Sequence, residues 1–350
     1  MLFAENQVVE RNIDHLPAGN VLLLDLLNDD AIAEFSAQRS DINWFGFTPY
    51  VDTHQLNKKN NVVFGAWLEE EQVNNTKFDA VVIYFPKTKL RFDYYLSMIS
   101  KHLNKDATIY IVGEKKGGVK SCDKALESYC DVTAKLDGAR HCMLFTATFN
   151  NHVCTKTMED WFSTSEVTVE IEKQAVTVQL VALPGVFSAN SLDNGTQLLL
   201  NTITDVKGHG LDFGCGCGVI SVALAKRYDC SMTAIDVDAL AVESSNRTFA
   251  VNNVDAKAKP SNGLSAVLSS GEFFKFIVTN PPFHTGTKTD YTITEQLIKH
   301  APKMLKRKYQ FWMVANAFLP YPELFKQHFK YVEIRNKNKR FNIYYTGRSS

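Results

Sequence analysis

The chain has 350 residues, and its 38 Lys and Arg balance 38 Asp and Glu to a formal net charge of zero. With 45% hydrophobic and 22% charged residues it can bury enough apolar surface to offset ordering entropy, so disorder is excluded as its main description. No uncharged apolar run reaches the roughly 18 residues of a membrane-spanning helix, the opening MLFAENQVVERNIDHL lacks the apolar stretch of a secretory leader, and zero net charge at first argues against a nucleic-acid partner.

Strands and helices alternate along the whole length, the α/β pattern. In the first half NVLLLDLL (20–27), FDAVVIYFPKTK (78–89), ATIYIVGEKK (107–116) and RHCMLFTAT (140–148) read as strands and their exits. A polar stretch over 150–166 with Trp161 reads as a linker or short helix, and EVTVEIEKQAVTVQLVAL (166–183) alternates like a hairpin. The second half is clearer. HGLDFG (209–214), SMTAID (231–236), AKPS (258–261), KFIVTN (275–280) and YQFWMVAN (309–316) predict a parallel sheet. Helices are expected near 217–227, 238–252 and 290–306, and YVEIRN (331–336) with RFNIYYTG (340–347) forms a closing hairpin. The two halves match element by element, which points to a duplicated domain. The expected division is 1–155 and 156–350. The first copy has no glycine cluster after its first strand and carries Tyr84-Phe85-Pro86 where the second carries Asn-Pro-Pro, so it is expected to keep the fold without a cofactor site. Seven cysteines without regular spacing suggest a reducing cytosol. The pair Cys215 and Cys217 suits a metal or two small side chains in a tight turn. With no second ligand pair nearby, no metal is expected.

Leu211-Asp212-Phe213-Gly214-Cys215-Gly216-Cys217-Gly218 follows an apolar strand and opens a helix. Glycines here let the backbone turn sharply and approach a ligand, with helix-start N–H groups facing it. The dinucleotide spacing G-x-G-x-x-G fails from either Gly214 or Gly216, which disfavours a nicotinamide dehydrogenase. The register is D-x-G-x-G-x-G, and Asp236 ends the next strand where a carboxylate accepts ribose hydroxyls. Asp238 is the alternative for that role, or a helix cap. This register resembles the S-adenosylmethionine site of class I methyltransferases. The resemblance implies that Asp212, Gly214, Gly216 and Asp236 contact that cofactor, with Asn262 near its adenine.

Asn280-Pro281-Pro282-Phe283 ends a strongly apolar strand, where open α/β sheets bind ligands. The prolines stiffen an extended corner. A purine's exocyclic amine is a poor nucleophile because its lone pair is delocalised. The Asn280 amide oxygen and the Pro281 carbonyl can accept its two hydrogens and aim the lone pair, while Phe283 stacks on the base. His284 stands ready to touch base or phosphate, or to serve the loop. No Cys follows Cys230, which disfavours a cysteine-nucleophile mechanism. A cofactor-sensing or RNA-chaperone module without turnover is the binding-class alternative, and the intact acids and Asn280 speak against it.

With LPGVFSANSLDNGTQLLL (183–200) and FWMVANAFLPYP (311–322), these segments resemble the bacterial ribosomal RNA small subunit methyltransferase C family. The resemblance covers essentially the whole chain, strongly over 183–347 and by layout over 1–150. It implies two tandem class I (Rossmann-like) methyltransferase domains with a degenerate N-terminal copy. It also implies N2-methylation of one guanine in the helix 34 region of 16S rRNA, on assembled small subunits, by a cytoplasmic monomer. Phe187 and 193–197 would then line the cofactor pocket, although Asp193 or Asn194 also suits a helix cap. The alternatives are a sister enzyme on large-subunit rRNA and, more distantly, a protein glutamine methyltransferase. The latter usually has Tyr where Phe283 stands.

The zero charge hides an asymmetry. Residues 271–350 hold 14 Lys and Arg against five Asp and Glu, while the remaining 270 hold 24 against 33. The surplus lies in KMLKRK (303–308) and RNKNKR (335–340). Lys306, Arg307, Lys337, Lys339 and Arg340 are therefore candidate phosphate contacts, set against the plainer reading as solvated turns. EKKGGVKS (114–121) is a weaker candidate in the first copy.

Overall fold

The computed structural model describes residues 1–188, 191–281, 288–319 and 321–348. Contacts divide the chain into two units, Met1–Phe162 and Ser163–Ser350, seven residues beyond the boundary expected from sequence.

The first unit holds β1 (Gly19–Leu24), β2 (Ile42–Thr48), β3 (Val62–Phe64), β4 (Phe78–Tyr84), β5 (Leu103–Glu114), β6 (Cys130–Asp137) and β7 (Cys142–Phe149). Their spatial order is β3-β2-β1-β4-β5-β7-β6. The first five pair in parallel, and β7 pairs antiparallel with both β5 and β6. Helices α1 (Ala4–Arg11), α2 (Ala31–Gln38), α3 (Val51–Leu56), α4 (Lys89–Ser100) and α5 (Cys122–Leu126) accompany them. Three of these strands gave no clear signal in sequence: β2 holds a mid-strand glycine, β3 is three residues long, and the register of β6 is irregular.

The second unit opens with the expected hairpin, β8 (Ser163–Ile171) and β9 (Gln174–Ala182). It continues with α6 (Asn194–Thr202), β10 (Gly208–Phe213), α7 (Val219–Arg227), β11 (Cys230–Asp236), α8 (Ala239–Asn252) and β12 (Ala256–Pro260). Then follow α9 (Ser265–Ser270), β13 (Phe274–Thr279), α10 (Lys288–His300), β14 (Leu305–Asn316), α11 (Tyr321–His328), β15 (Glu333–Lys337) and β16 (Phe341–Arg348). The order β12-β11-β10-β13-β14-β16-β15 repeats the first sheet strand for strand. The duplication expected from sequence is therefore explicit in topology.

Central strands covered on both faces should be continuously apolar rather than alternating. Val278, Ile277 and Phe276 of β13 and Phe311–Ala315 of β14 are all buried, and Leu297, Ile298, Phe325 and Phe329 pack over the face carrying Ile277, Phe311, Met313 and Ala315. Each such side chain contributes roughly 1.5–3 kcal/mol. The helix expected to reach 306 stops at His300, because Pro302 cannot continue its ladder. Leu305 already starts β14, so Lys306 and Arg307 lie on a strand rather than at a helix end.

The strand order reverses between β10 and β13, and ligands in such sheets sit at the carboxyl ends near that switch. β10 lies between β11 and β13. The glycine turn after β10 thus falls between Asp236, which ends β11, and Asn280, which follows β13.

Candidate functional site

The turn after β10 is left-handed at Gly214, Gly216 and Gly218, with φ of 72°, 55° and 85°. Space demands glycine as well. A Cβ on Gly216 would stand 3.3 Å from the Phe187 carbonyl oxygen, and one on Gly218 would stand 2.6 Å from the Phe249 ring. Cys215 and Cys217 fill the inside of the turn. Cys215 Sγ accepts from the Ser245 hydroxyl at 3.3 Å, and Cys217 Sγ donates to the Ser188 carbonyl at 3.4 Å. Burial pushes the Cys217 thiol up to about 12, so neither sulfur offers a ready thiolate.

Asp236 binds this turn to β11. Its Oδ2 accepts from Gly216 N at 3.0 Å and its Oδ1 from Asp238 N at 3.1 Å. Asp238 instead caps α8, accepting from Leu240 N at 2.9 Å, which is the cap expected of it from sequence. Desolvation raises Asp236 to about 6, against the backbone bonds that favour its charge. Asp212 lies one layer deeper. It is wholly buried, accepts from the Ser221 hydroxyl at 2.7 Å, and its Oδ1 has no partner among the described residues. Burial pushes it up to about 7. The structure therefore sets Asp212 beneath the turn rather than on its open side. Asn262 is exposed just past the end of β12, where Ser261 N donates to the Asp236 carbonyl at 2.8 Å. Phe187 is 40% exposed beside Gly216. Asp236, Gly214, Gly216, Phe187 and Asn262 are thus gathered at one end of the sheet.

Thr279 anchors the strand leading to the second corner, donating from its hydroxyl to the Phe213 carbonyl at 2.7 Å. Asn280 follows, half-buried. Its Nδ2 donates to Asp193 Oδ2 at 3.0 Å and to Thr196 Oγ1 at 2.8 Å. Both amide hydrogens are engaged, which fixes the side-chain flip and leaves Oδ1 to accept from an incoming donor. Asp193 also caps α6, accepting from Gly195 N at 2.9 Å and Thr196 N at 3.0 Å. One carboxylate therefore starts the helix and orients the Asn280 amide. The sequence resemblance placed Asp193 and Thr196 within a cofactor-lining segment, with Asp193 also a possible cap, and paired neither with Asn280, since an 84- to 87-residue separation leaves no local signal. Pro281 is buried beside Asn280. Phe283 and His284 lie outside the described residues.

The basic candidates separate. Phe341 of β16 pairs with Asn316 at the carboxyl end of β14, so the exposed turn carrying Lys337, Lys339 and Arg340 lies at the same end as Asn280. Leu305 pairs with Phe274, at the start of β13. Lys306 and Arg307 therefore lie at the opposite end, about 20 Å along the strands from Asn280. Parallel pairing of β14 with β13 thus separates Lys306 and Arg307 from Lys337, Lys339 and Arg340, with which sequence had grouped them as candidate phosphate contacts.

The first unit shows the same positions filled differently. Leu24 pairs with Ile83 and Phe47 as Phe213 pairs with Thr279 and Ile235. Tyr84 therefore stands where Asn280 stands, Thr48 where Asp236 stands, and Asp25 (φ 65°) where Gly214 stands. The Tyr84 hydroxyl donates to Asn6 on α1, and Asn6 Nδ2 donates to Asp29 at 2.8 Å. Leu26 and Leu27 occupy the turn itself. A neutral Thr has no counterpart to the Asp236 carboxylate, and the leucines fill what glycines leave open.

Residues 6–165 match the model of the methyltransferase small domain N-terminal family, and 177–345 match that of the methyltransferase small domain. The chain is 35% identical to the ribosomal RNA small subunit methyltransferase C of Aliivibrio fischeri, over 97% of this chain and 98% of that one. It is 36% identical to its Shewanella loihica counterpart over 98% of each. Among solved structures it resembles the T. thermophilus 16S rRNA N2 G1207 methyltransferase (RsmC), a complex with AdoMet and guanosine. That match has a TM-score of 0.81 and 18% identity, covers 99% of this chain and 92% of that one, and bears on the fold. Identity of this extent over nearly the full length of both chains shows that the protein belongs to the ribosomal RNA small subunit methyltransferase C family.

Proposed function

We propose that the protein transfers a methyl group from S-adenosylmethionine to the exocyclic N2 of one guanine in 16S rRNA, in the helix 34 region of assembled small subunits. It would act as a cytoplasmic monomer. The observation that carries this reading is the held amide of Asn280, with both hydrogens on Asp193 and Thr196 and its oxygen left to accept.

S-adenosylmethionine, when bound, supplies an electrophilic methyl group. The cradle suits it: a side chain on Gly216 would be strained at its left-handed φ and crowd the Phe187 carbonyl, and Asp236 stands at a strand end where two ribose hydroxyls can donate to it. Phe187 covers the glycine turn, and Asn262 flanks the adenine. Asp212 supports the turn from beneath through Ser221. On the substrate side, Asn280 Oδ1 and the Pro281 carbonyl accept the two hydrogens of the guanine amine. This draws the amine toward a pyramidal geometry, in which its lone pair is less delocalised into the ring, and directs that pair at the methyl carbon, so positioning supplies most of the acceleration. The transfer would break the methyl–sulfur bond, leaving a neutral thioether, as the bond to N2 forms, so positive charge grows on that nitrogen, next to two acceptor oxygens and one residue from the Asp193 carboxylate. The proton then leaves to solvent. Phe283 stacks on the base, His284 reaches base or phosphate, and Lys337, Lys339 and Arg340 take flanking phosphates.

Incubating the protein with methyl-tritiated S-adenosylmethionine and unmodified small subunits, or naked 16S rRNA, tests this directly. Label in the RNA is expected; absence of label from both forms contradicts it.

A further inference from the structure

A groove of about 510 Å³ runs between α6 and the turn joining β15 to β16, lined on the helix side by Asn194 and Gln197 and on the hairpin side by Asn338, Lys339, Arg340 and Phe341. Its volume is that of a single-ligand cleft. Both walls are fixed. Asn338 Oδ1 accepts from Arg340 N and Phe341 N, each at 2.8 Å, which locks the turn. Asn336 Nδ2 donates to Thr202 Oγ1 at 3.0 Å, which ties the hairpin to the end of α6.

The groove opens beside the reacting corner. Gly195 has no side chain, and a Cβ there would stand 3.4 Å from the Phe341 ring and 3.0 Å from Asp193 Oδ2. That oxygen is the one to which Asn280 donates. The lining combines three chemistries. Phe341 is half-buried with its ring against the helix, Lys339 and Arg340 are exposed cations, and Asn194 and Gln197 are exposed amides that both donate and accept. An acidic peptide would use the cations and leave the ring unused. A single-stranded nucleotide uses all three, through base stacking, phosphate pairing and hydrogen bonds at the base edge.

We propose that this groove is a subsite for one unpaired nucleotide adjoining the guanine held at Asn280. Its base stacks on Phe341, its phosphate meets Lys339 and Arg340, and its edge or ribose meets Asn194 and Gln197. The proposal rests on reading the Asn280 corner as the guanine site. It means the enzyme takes hold of an extruded stretch of RNA rather than one flipped base alone, so the helix around the target must open by more than one pair.

The test measures equilibrium binding of a short single-stranded RNA spanning the target guanine, and of the same RNA made abasic at each neighbouring position in turn. Proteins are the wild type, Phe341→Leu, and the double variant Asn194→Ala/Gln197→Ala, with the circular dichroism spectrum and thermal midpoint as the check on folding. One abasic position is expected to weaken wild-type binding about tenfold. Phe341→Leu should weaken binding of intact RNA by a similar factor and become insensitive to that same abasic position, the mark of a direct contact. The double variant should bind intact RNA several-fold more weakly. Wild-type affinity in both variants, or abasic and Phe341→Leu effects that simply multiply, overturns the subsite. Failure of the guanine reading appears separately, as wild-type protein that leaves N2 unmethylated on subunits and naked RNA, while the binding comparison still decides the groove.

Discussion

The Asn280 amide shows most plainly how a residue acquires a function from its neighbours. An amide can present oxygen or nitrogen to a ligand, and only the oxygen can accept from an amine. Asp193 and Thr196 decide that choice at 3.0 and 2.8 Å. Thr196→Val removes one of the two acceptors while keeping the shape and the backbone cap. It is expected to lower kcat about tenfold with S-adenosylmethionine affinity unchanged, and Thr196→Ser should restore the rate. A parallel change in cofactor affinity would assign Thr196 a merely structural part. Asp236 makes a second prediction. Its carboxyl titrates near 6 because burial outweighs its backbone bonds. The ionised form is the one that accepts from ribose hydroxyls. Cofactor affinity should therefore be constant above about pH 7 and fall as pH drops through 6, by up to about tenfold per unit. Asp236→Asn should bind weakly at every pH, and calorimetry across pH 5–8 reads both. At this scale the sequence revealed Asp236 and Asn280, because strand ends and proline corners are local patterns. It could not reveal the Asp193–Asn280 bond, which spans 87 residues and exists only once β13 and α6 meet.

At the scale of elements, the parallel strands and their helices were legible because buried central strands are continuous apolar runs. The ends were less so. The amphipathic pattern after Lys288 runs past His300 in sequence, while Pro302 ends the helix in space and the polar segment Leu305–Lys308 joins a strand. That shift decides where charge can act. β14 runs parallel to β13, so its start carries Lys306 and Arg307 away from the pocket, and the antiparallel β16 returns its own start to the pocket end. Replacing Lys337, Lys339 and Arg340 together with Ala should weaken RNA binding and reduce the salt slope by about 2, at roughly 0.7 per phosphate contact for single strands. Replacing Lys306 and Arg307 should leave that slope unchanged. Equal slopes for the two sets of variants would contradict the placement.

For the whole molecule, two copies of one strand order have diverged at matching positions. Thr48, Asp25 and Tyr84 replace Asp236, Gly214 and Asn280, and Leu26 with Leu27 replaces the open glycine turn. The prediction is stoichiometric: titration calorimetry should give one S-adenosylmethionine per chain, and two would restore a cofactor site to the first unit. The sequence showed this degeneracy as a missing glycine cluster, whereas the substitution of Thr48 for the acid required strand register to see. Zero net charge likewise averages unlike regions, since the last 80 residues carry a surplus of nine positive charges and the rest an equal deficit.

The central claim is that the Asn280 corner presents a guanine amine for direct methyl transfer. Mass-spectrometric mapping of small-subunit RNA treated with the wild type and with Asn280→Ala tests it most directly. N2-methylguanine at a single position is expected from the wild type. A rate at least about a hundredfold lower is expected from Asn280→Ala with cofactor affinity retained, as for loss of a group that positions the reacting amine. A methyl group found on any other atom, or near-normal turnover by Asn280→Ala, would contradict it.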